Sequence, residues 1–395
     1  MKKLLSVLLI TALSAALVFA QELKLSGEVK TGILWEEGQD AGKEKDLSKV
    51  RLNSKDDAGG NEGRYRLNLD YDNGNNFGMR ARLNMEQFGA DYAAWTYAFG
   101  YGNFFDNQLT VSVGKLGGSP WGTGGPEEWK ELEVSRTGGM RVEWKPGFIP
   151  EEIGRFNVGF VLNDFNQPKE ASITRTDATL LELLQESVLG FSWSHDDWGL
   201  IRFAYRLDSD FDAAQRMDGK KEGDSIVYRI EEHMLKDYLP GMQIWALGVL
   251  EGVGASEAMF YTFKNWMFTE YSPPDLWGIS TPFTAQLRLG YEYAENRGVF
   301  RVKPSFYWHF FEKLLSVGAA FEYARDHGEA MAYAGSPYYY LEVEPKIQLN
   351  FTSSYIAFAY NYHRQYKGMY NEAKAIGAEP IQQTQWMNLR FCIYY

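Results

Sequence analysis

Residues 63–85 alternate apolar and polar side chains twice, on either side of an Asn-Gly pair, and few folds can use such a stretch. In the first run Tyr65, Leu67, Leu69 and Tyr71 are apolar, and Arg64, Arg66, Asn68 and Asp70 are polar. In the second run Phe77, Met79, Ala81, Leu83 and Met85 interleave with Arg80, Arg82, Asn84 and Glu86. Period two means strand, because successive side chains leave opposite faces of a pleated backbone. Asn-Gly between two such runs predicts a hairpin, since both residues tolerate positive φ. A three-residue loop at 73–75 sets Leu67 beside Ala81 and Arg66 beside Arg82. The polar face then gathers four arginines on two neighbouring strands, where a soluble sheet keeps like charges apart. The opposite face is smooth and apolar. Lipid on one side and water on the other suits both faces, as in a transmembrane β-barrel.

The rest of the chain agrees. Lys2 and Lys3 precede an apolar run that ends in Val18-Phe19-Ala20, so residues 1–20 read as a cleaved export signal and residues 21–395 as the mature barrel. Loss of the two lysines takes the formal charge from -12 to -14. An acidic balance argues against nucleic acid as a partner. Cys392 is the only cysteine, so no internal disulfide staples an exported domain. The mean hydropathy of -0.38 and the lack of a later long apolar run exclude a helical membrane protein. Yet 16% of residues are aromatic and 39 are glycine, which fits a large β-structure.

Alternation recurs along the chain, with Leu25, Val29, Ile33 and Trp35 on one face of the first strand. Ala93, Trp95, Tyr97, Phe99 and Tyr101 share a face, as do Val142 and Trp144, against Arg141 and Glu143. Residues 37–62 read as a long loop, and 178–185 as a short helix inside another. Registers are weakest over 208–282. Towards the end the pattern sharpens again, from Phe283 to Tyr293 and in the last strand from Gln385 to Tyr395. Sixteen to eighteen strands follow. Short connections (73–75, 311–313, 350–352) alternate with generally longer ones (37–62, 116–138, 325–337, 363–383). The exceptions are 295–298, short for a loop, and 270–282, long for a turn. Aromatics near strand ends (Trp35, Tyr71, Phe77, Tyr101, Trp144, Trp193, Trp308, Tyr362) suit interfacial girdles. A soluble sandwich or periplasmic carbohydrate binder would use those aromatics as core. Long charged faces opposite continuous apolar ones fit a single closed sheet better.

With its export signal, amphipathic strands and C-terminal Trp386-Met387-Asn388-Leu389-Arg390-Phe391-Cys392-Ile393-Tyr394-Tyr395, the chain resembles bacterial outer-membrane porins. The resemblance implies an integral outer-membrane location in contact with lipid, small hydrophilic solutes or ions as cargo, and a homotrimer. It also implies that the assembly machinery reads the strand ending at Tyr395. The segment from Val111 to Gly122 is similar to the porin sequence leading into the third loop, which narrows the lumen. Carried over, loop 116–138 sets Glu127, Glu128, Glu131 and Glu133 against a basic wall of Arg64, Arg66, Arg80 and Arg82, with Arg141 also lining the pore. Residues alone leave those acids either simply solvated or in a short helix, for which Pro126 followed by acids is a good start.

Catalytic chemistry is not visible. The five histidines (His195, His233, His309, His327, His363) lack metal-ligand spacing. Asp208, Asp210 and Asp212 resemble the start of a calcium loop, but Ala213 stands at the sharp-turn glycine and Gly219 at the closing glutamate. No cofactor, metal or enzyme activity is expected. The expectation is passive diffusion of small hydrophilic solutes, with a substrate-specific channel or a surface adhesin without an open pore as alternatives.

Overall fold

The computed structural model describes residues 22–40, 46–52, 64–74, 76–85, 93–116, 121, 138–163, 187–207, 224–253, 262–294, 297–327, 339–366 and 381–395. In chain order the strands begin with β1 (Glu22–Asp40), β2 (Asp46–Leu52), β3 (Arg64–Asp72), β4 (Phe77–Met85), β5 (Ala93–Phe104), β6 (Leu109–Lys115) and β7 (Gly138–Trp144). They continue as β8 (Arg155–Asn163), β9 (Val188–His195), β10 (Gly199–Arg206), β11 (Asp224–Glu232), β12 (Met242–Val253), β13 (Thr262–Tyr271), β14 (Asp275–Leu276) and β15 (Ile279–Ser280). The last six are β16 (Phe283–Ala294), β17 (Arg297–Phe310), β18 (Leu315–His327), β19 (Tyr339–Phe351), β20 (Ser354–Tyr366) and β21 (Ile381–Tyr394). Each barrel strand pairs antiparallel with its neighbours, and β1 closes the ring by pairing with β3 on one edge and β21 on the other. Eighteen strands form this up-and-down barrel, the upper end of the expected range.

Outward side chains are apolar and exposed, among them Leu25, Met79, Val113, Leu189, Phe203, Leu287, Ile347 and Phe358. A closed sheet wrapped in such a belt is an integral outer-membrane barrel. The start of β1, the end of β21 and the short turns share one end, which is periplasmic in this architecture. There Trp144, Trp193, Tyr271, Phe283 and Trp308 end their strands or lie close to the ends.

Three expectations change, and the long connection 270–282 gains a hairpin. Residues 37–62 are not all loop: β1 runs to Asp40, and β2 pairs with its upper half, from Ile33 to Gln39. The long periplasmic connection before Pro282 contains the small hairpin β14–β15. The β3–β4 register is two residues off the predicted one, with Leu67 opposite Leu83 and Arg66 opposite Asn84. The cause is the turn: Asn76 as well as Gly74 takes positive φ (68° and 70°), so four residues connect the strands. Asn73 N–H donates to Phe77 O at 3.0 Å, and Phe77 N–H to Asn73 Oδ1 at 3.1 Å. Last, Tyr97, Phe99 and Tyr101 do not share a face with Trp95. Arg82 pairs with Tyr97 but Leu83 with Trp95, so Thr96 is an extra residue that turns the aromatics above it inward. The export signal and the 178–185 helix lie outside the described residues.

The closing seam is tight. Gly27 and Tyr395 exchange backbone hydrogen bonds at 2.7 and 3.1 Å, and a Cβ at Gly27 would lie 2.5 Å from Tyr395 Cζ. Gly27→Val is expected to lose about 1–3 kcal/mol by overpacking, read as a lower denaturant midpoint in the heat-modifiable gel shift. Stability equal to wild type would place the ring elsewhere.

Candidate functional site: the lumen wall

The corrected register separates the arginines instead of opposing them. Arg66 Nε donates to Asn84 Oδ1 at 3.1 Å, and its Nη1 lies 3.0 Å from Glu28 Oε1 on β1. Arg80 Nε is 3.4 Å from Asp70 Oδ2, and Arg82 Nε donates to Asn68 Oδ1 at 2.7 Å. The predicted Arg66–Arg82 repulsion is therefore not a feature of this wall. The inward rings of β5 back the guanidiniums: Arg80 lies 5.4 Å from the Tyr101 centroid, Arg82 5.1 Å from Tyr97, and Arg141 5.6 Å from Phe99. Cations on ring faces gain from the quadrupole and lose side-chain freedom, so they stand in fixed places. Arg141 is buried on β7, its Nε 2.7 Å from Glu143 Oε1. Arg64 opens β3 on the same face, but its side chain lies outside the described part, as do Glu127, Glu128, Glu131 and Glu133.

A second charged sector spans β16–β20, where the sequence shows only alternation. Arg288 lies 5.5 Å from the Phe268 centroid and pairs across the ladder with Lys303. Glu322 takes both Arg301 (3.2 Å) and Lys303 (3.1 Å). Glu342 and Glu344 follow on β19, where Asn361 Nδ2 donates to Glu342 Oε1 at 2.6 Å. Among the described residues, no carboxylate lies within ion-pair distance of Arg82 or Arg288. Each is the sixth residue from the periplasmic end of its strand, and β4 and β16 stand eight strands apart by the shorter way round a ring of eighteen.

Between these sectors the wall holds an apolar cluster beside inward Arg202, Arg229 and Glu231, the last two paired at 2.5 Å. Val161, Val188, Ala204, Val227, Leu247 and Val249 point inward and are buried, forming one cluster with Leu116, Trp121 and Phe99. Trp121, five residues past Leu116 at the end of β6, lies on the inner surface of β8 and β9. A Cβ at Gly190 would run into its indole, and one at Gly159 would come within 2.9 Å of it. Gly159 and Gly190 are cross-strand partners, so the two missing side chains make the seat. No run of periodicity marks such a seat in sequence.

His309 joins a chain of neutral groups, with Thr284 Oγ1 at 3.0 Å and Ser316 Oγ at 2.8 Å. Among the described residues no three His, Cys, Asp or Glu side chains are grouped to hold a metal ion.

No protein-family model matches the chain, and no curated protein matches it. Among solved structures it is similar to OccAB1 of Acinetobacter baumannii, with a TM-score of 0.53 and 10% identity over 95% of this chain and 97% of that one. It is also similar to an anion-selective porin from Comamonas acidovorans, with a TM-score of 0.49 and 11% identity over 95% of this chain and 99% of the other. The first likeness shows the fold: an outer-membrane porin architecture.

Proposed function

We propose that the barrel is a passive diffusion channel for small hydrophilic solutes, with a preference for anions. The observation that carries this reading is the pair Arg82 and Arg288. Each is a cation held on a ring, without a carboxylate among the described residues, at mid-height on a distant part of the wall. Fixed charges lining a hydrated pore set its ion preference. Acids of loop 116–138, if they meet the arginines, complete a transverse field. Export by residues 1–20 and recognition of the strand ending at Tyr395 belong to the same reading.

Planar-bilayer recording tests it. Channel events should appear, with a reversal potential on the anion side under a salt gradient at low ionic strength, where screening is weak. Cation preference would reject the role given to Arg82 and Arg288. Silence from correctly folded protein would favour a surface adhesin. The apolar inner wall at Trp121 favours a second reading, a narrower substrate-specific passage. Block of conductance by one solute alone would support that.

A further inference from the structure

The lipid-facing side of β11–β13 carries a group that hydrocarbon does not satisfy. Asn265 lies on the outward face of β13, opposite Gly248 of β12, which is itself opposite Tyr228 of β11. The Tyr228 hydroxyl donates to Asn265 Oδ1 at 2.6 Å. Its ring reaches across Gly248, where a Cβ would sit 2.6 Å from the hydroxyl oxygen. One lone pair of the carboxamide is thereby met. Its Nδ2, with two N–H donors, has no acceptor among the described residues.

Depth makes this costly. Asn265 stands six residues above Tyr271, at the periplasmic end of β13. At ~3.3 Å per residue and a tilt of ~40°, that is ~15 Å up an apolar belt ~25 Å tall. Its cross-strand partners on this face are Gly248 and Tyr291, whose ring packs on Phe263 at 6.3 Å, and the residues around them are apolar: Phe263 and Met267 along β13, with Ala246 on β12 and Leu289 on β16 diagonal to it. Water, which completes polar groups on the lumen side, does not reach this depth on the lipid side.

We infer that this face is an interface between two copies of the chain, centred on Asn265. A primary amide is its own complement. Around a two-fold axis along the membrane normal, each Nδ2 donates to the other copy's Oδ1, whose second lone pair Tyr228 leaves open. The same patch serves both copies, as an isologous contact requires. Ala246, and the Tyr228 ring lying across Gly248, keep the surface low enough for close approach, as small residues do between membrane segments. The contact is independent of whether the lumen conducts.

Native mass spectrometry of the full chain from lipid nanodiscs, over a range of protein-to-lipid ratios, tests this. Wild type should be dimeric. Asn265→Leu should weaken dimerisation about tenfold, the scale of one membrane hydrogen-bonded pair, with heat-modifiable mobility unchanged. Asn265→Gln should retain the dimer, which keeps the test alive if the leucine variant fails to fold. A short bis-maleimide should link Asn265→Cys into dimers and leave Phe358→Cys, on the lipid face of β20, unlinked. Native Cys392 is buried and faces inward, so wild type gives the background. A monomer at every ratio overturns the inference. So does a trimer that Asn265→Cys does not link, or dimerisation indifferent to Asn265→Leu.

Discussion

Trp121→Ala is expected to raise single-channel conductance severalfold while leaving the barrel folded. The indole is fully buried against the inner wall, over the cross-strand pair Gly159 and Gly190. Truncating a buried tryptophan removes about 3–5 kcal/mol of local packing. The interstrand ladder does not depend on that packing, so the loss falls on the segment after β6. Without the indole, the passage beside Gly159 and Gly190 is wider. Gly190→Leu approaches the same point from the other side, because its side chain occupies the place the indole now takes. Both variants should keep heat-modifiable mobility and shift conductance. If both conduct like wild type, Trp121 lies off the ion path, and the narrowing assigned to it is wrong.

Neutralising Arg82 and Arg288 together should turn the channel towards cations. A unit charge ~10 Å from the ion path is worth about 0.4 kcal/mol in water, with opposite sign for cation and anion. Each arginine-to-glutamine change then alters the permeability ratio about fourfold, and both about fifteenfold, before screening. The two sites stand eight strands apart and share no hydrogen-bond partner, so their effects should add. Neither change strands a carboxylate, so folding should hold. Arg141→Gln is the contrast. It removes the same charge but leaves buried Glu143 without its cation, at up to about 3–5 kcal/mol. Reversal potentials at low salt decide; an unchanged value in the Arg82→Gln, Arg288→Gln variant sinks the selectivity argument.

The arginine face of β3 and β4 was legible because alternation is a local property. Arg66, Arg80 and Arg82 share a parity that no register can break. What each one meets was not legible. Positive φ at Gly74 and Asn76 moved the pairing by two residues and exchanged an Arg66–Arg82 clash for Arg66–Asn84 and Arg82–Asn68 hydrogen bonds. The extra residue Thr96 likewise turned Tyr97, Phe99 and Tyr101 from a girdle into the backing of the guanidiniums. Neither device leaves a mark in composition. The weak reading of 208–282 has its own cause. β12 and β13 carry Trp245, Leu247, Val249, Trp266 and Phe268 inward, against an apolar cluster, and apolar residues outward as well. A strand apolar on both faces loses its alternation.

By itself the sequence determined that this chain closes into an amphipathic barrel. Period-two patterning assigns each side chain a face, and lipid accepts only a sheet without edges. The tertiary structure alone decided the contacts on the lumen wall. These are the seat of Trp121 on two glycines, the arginines that reach Glu28 and Glu322, and the two arginines left on aromatic rings. Such contacts join residues far apart in the chain. Turn geometry, one bulge and ring closure at β1 set them, and each acts over a distance at which local pattern carries no information.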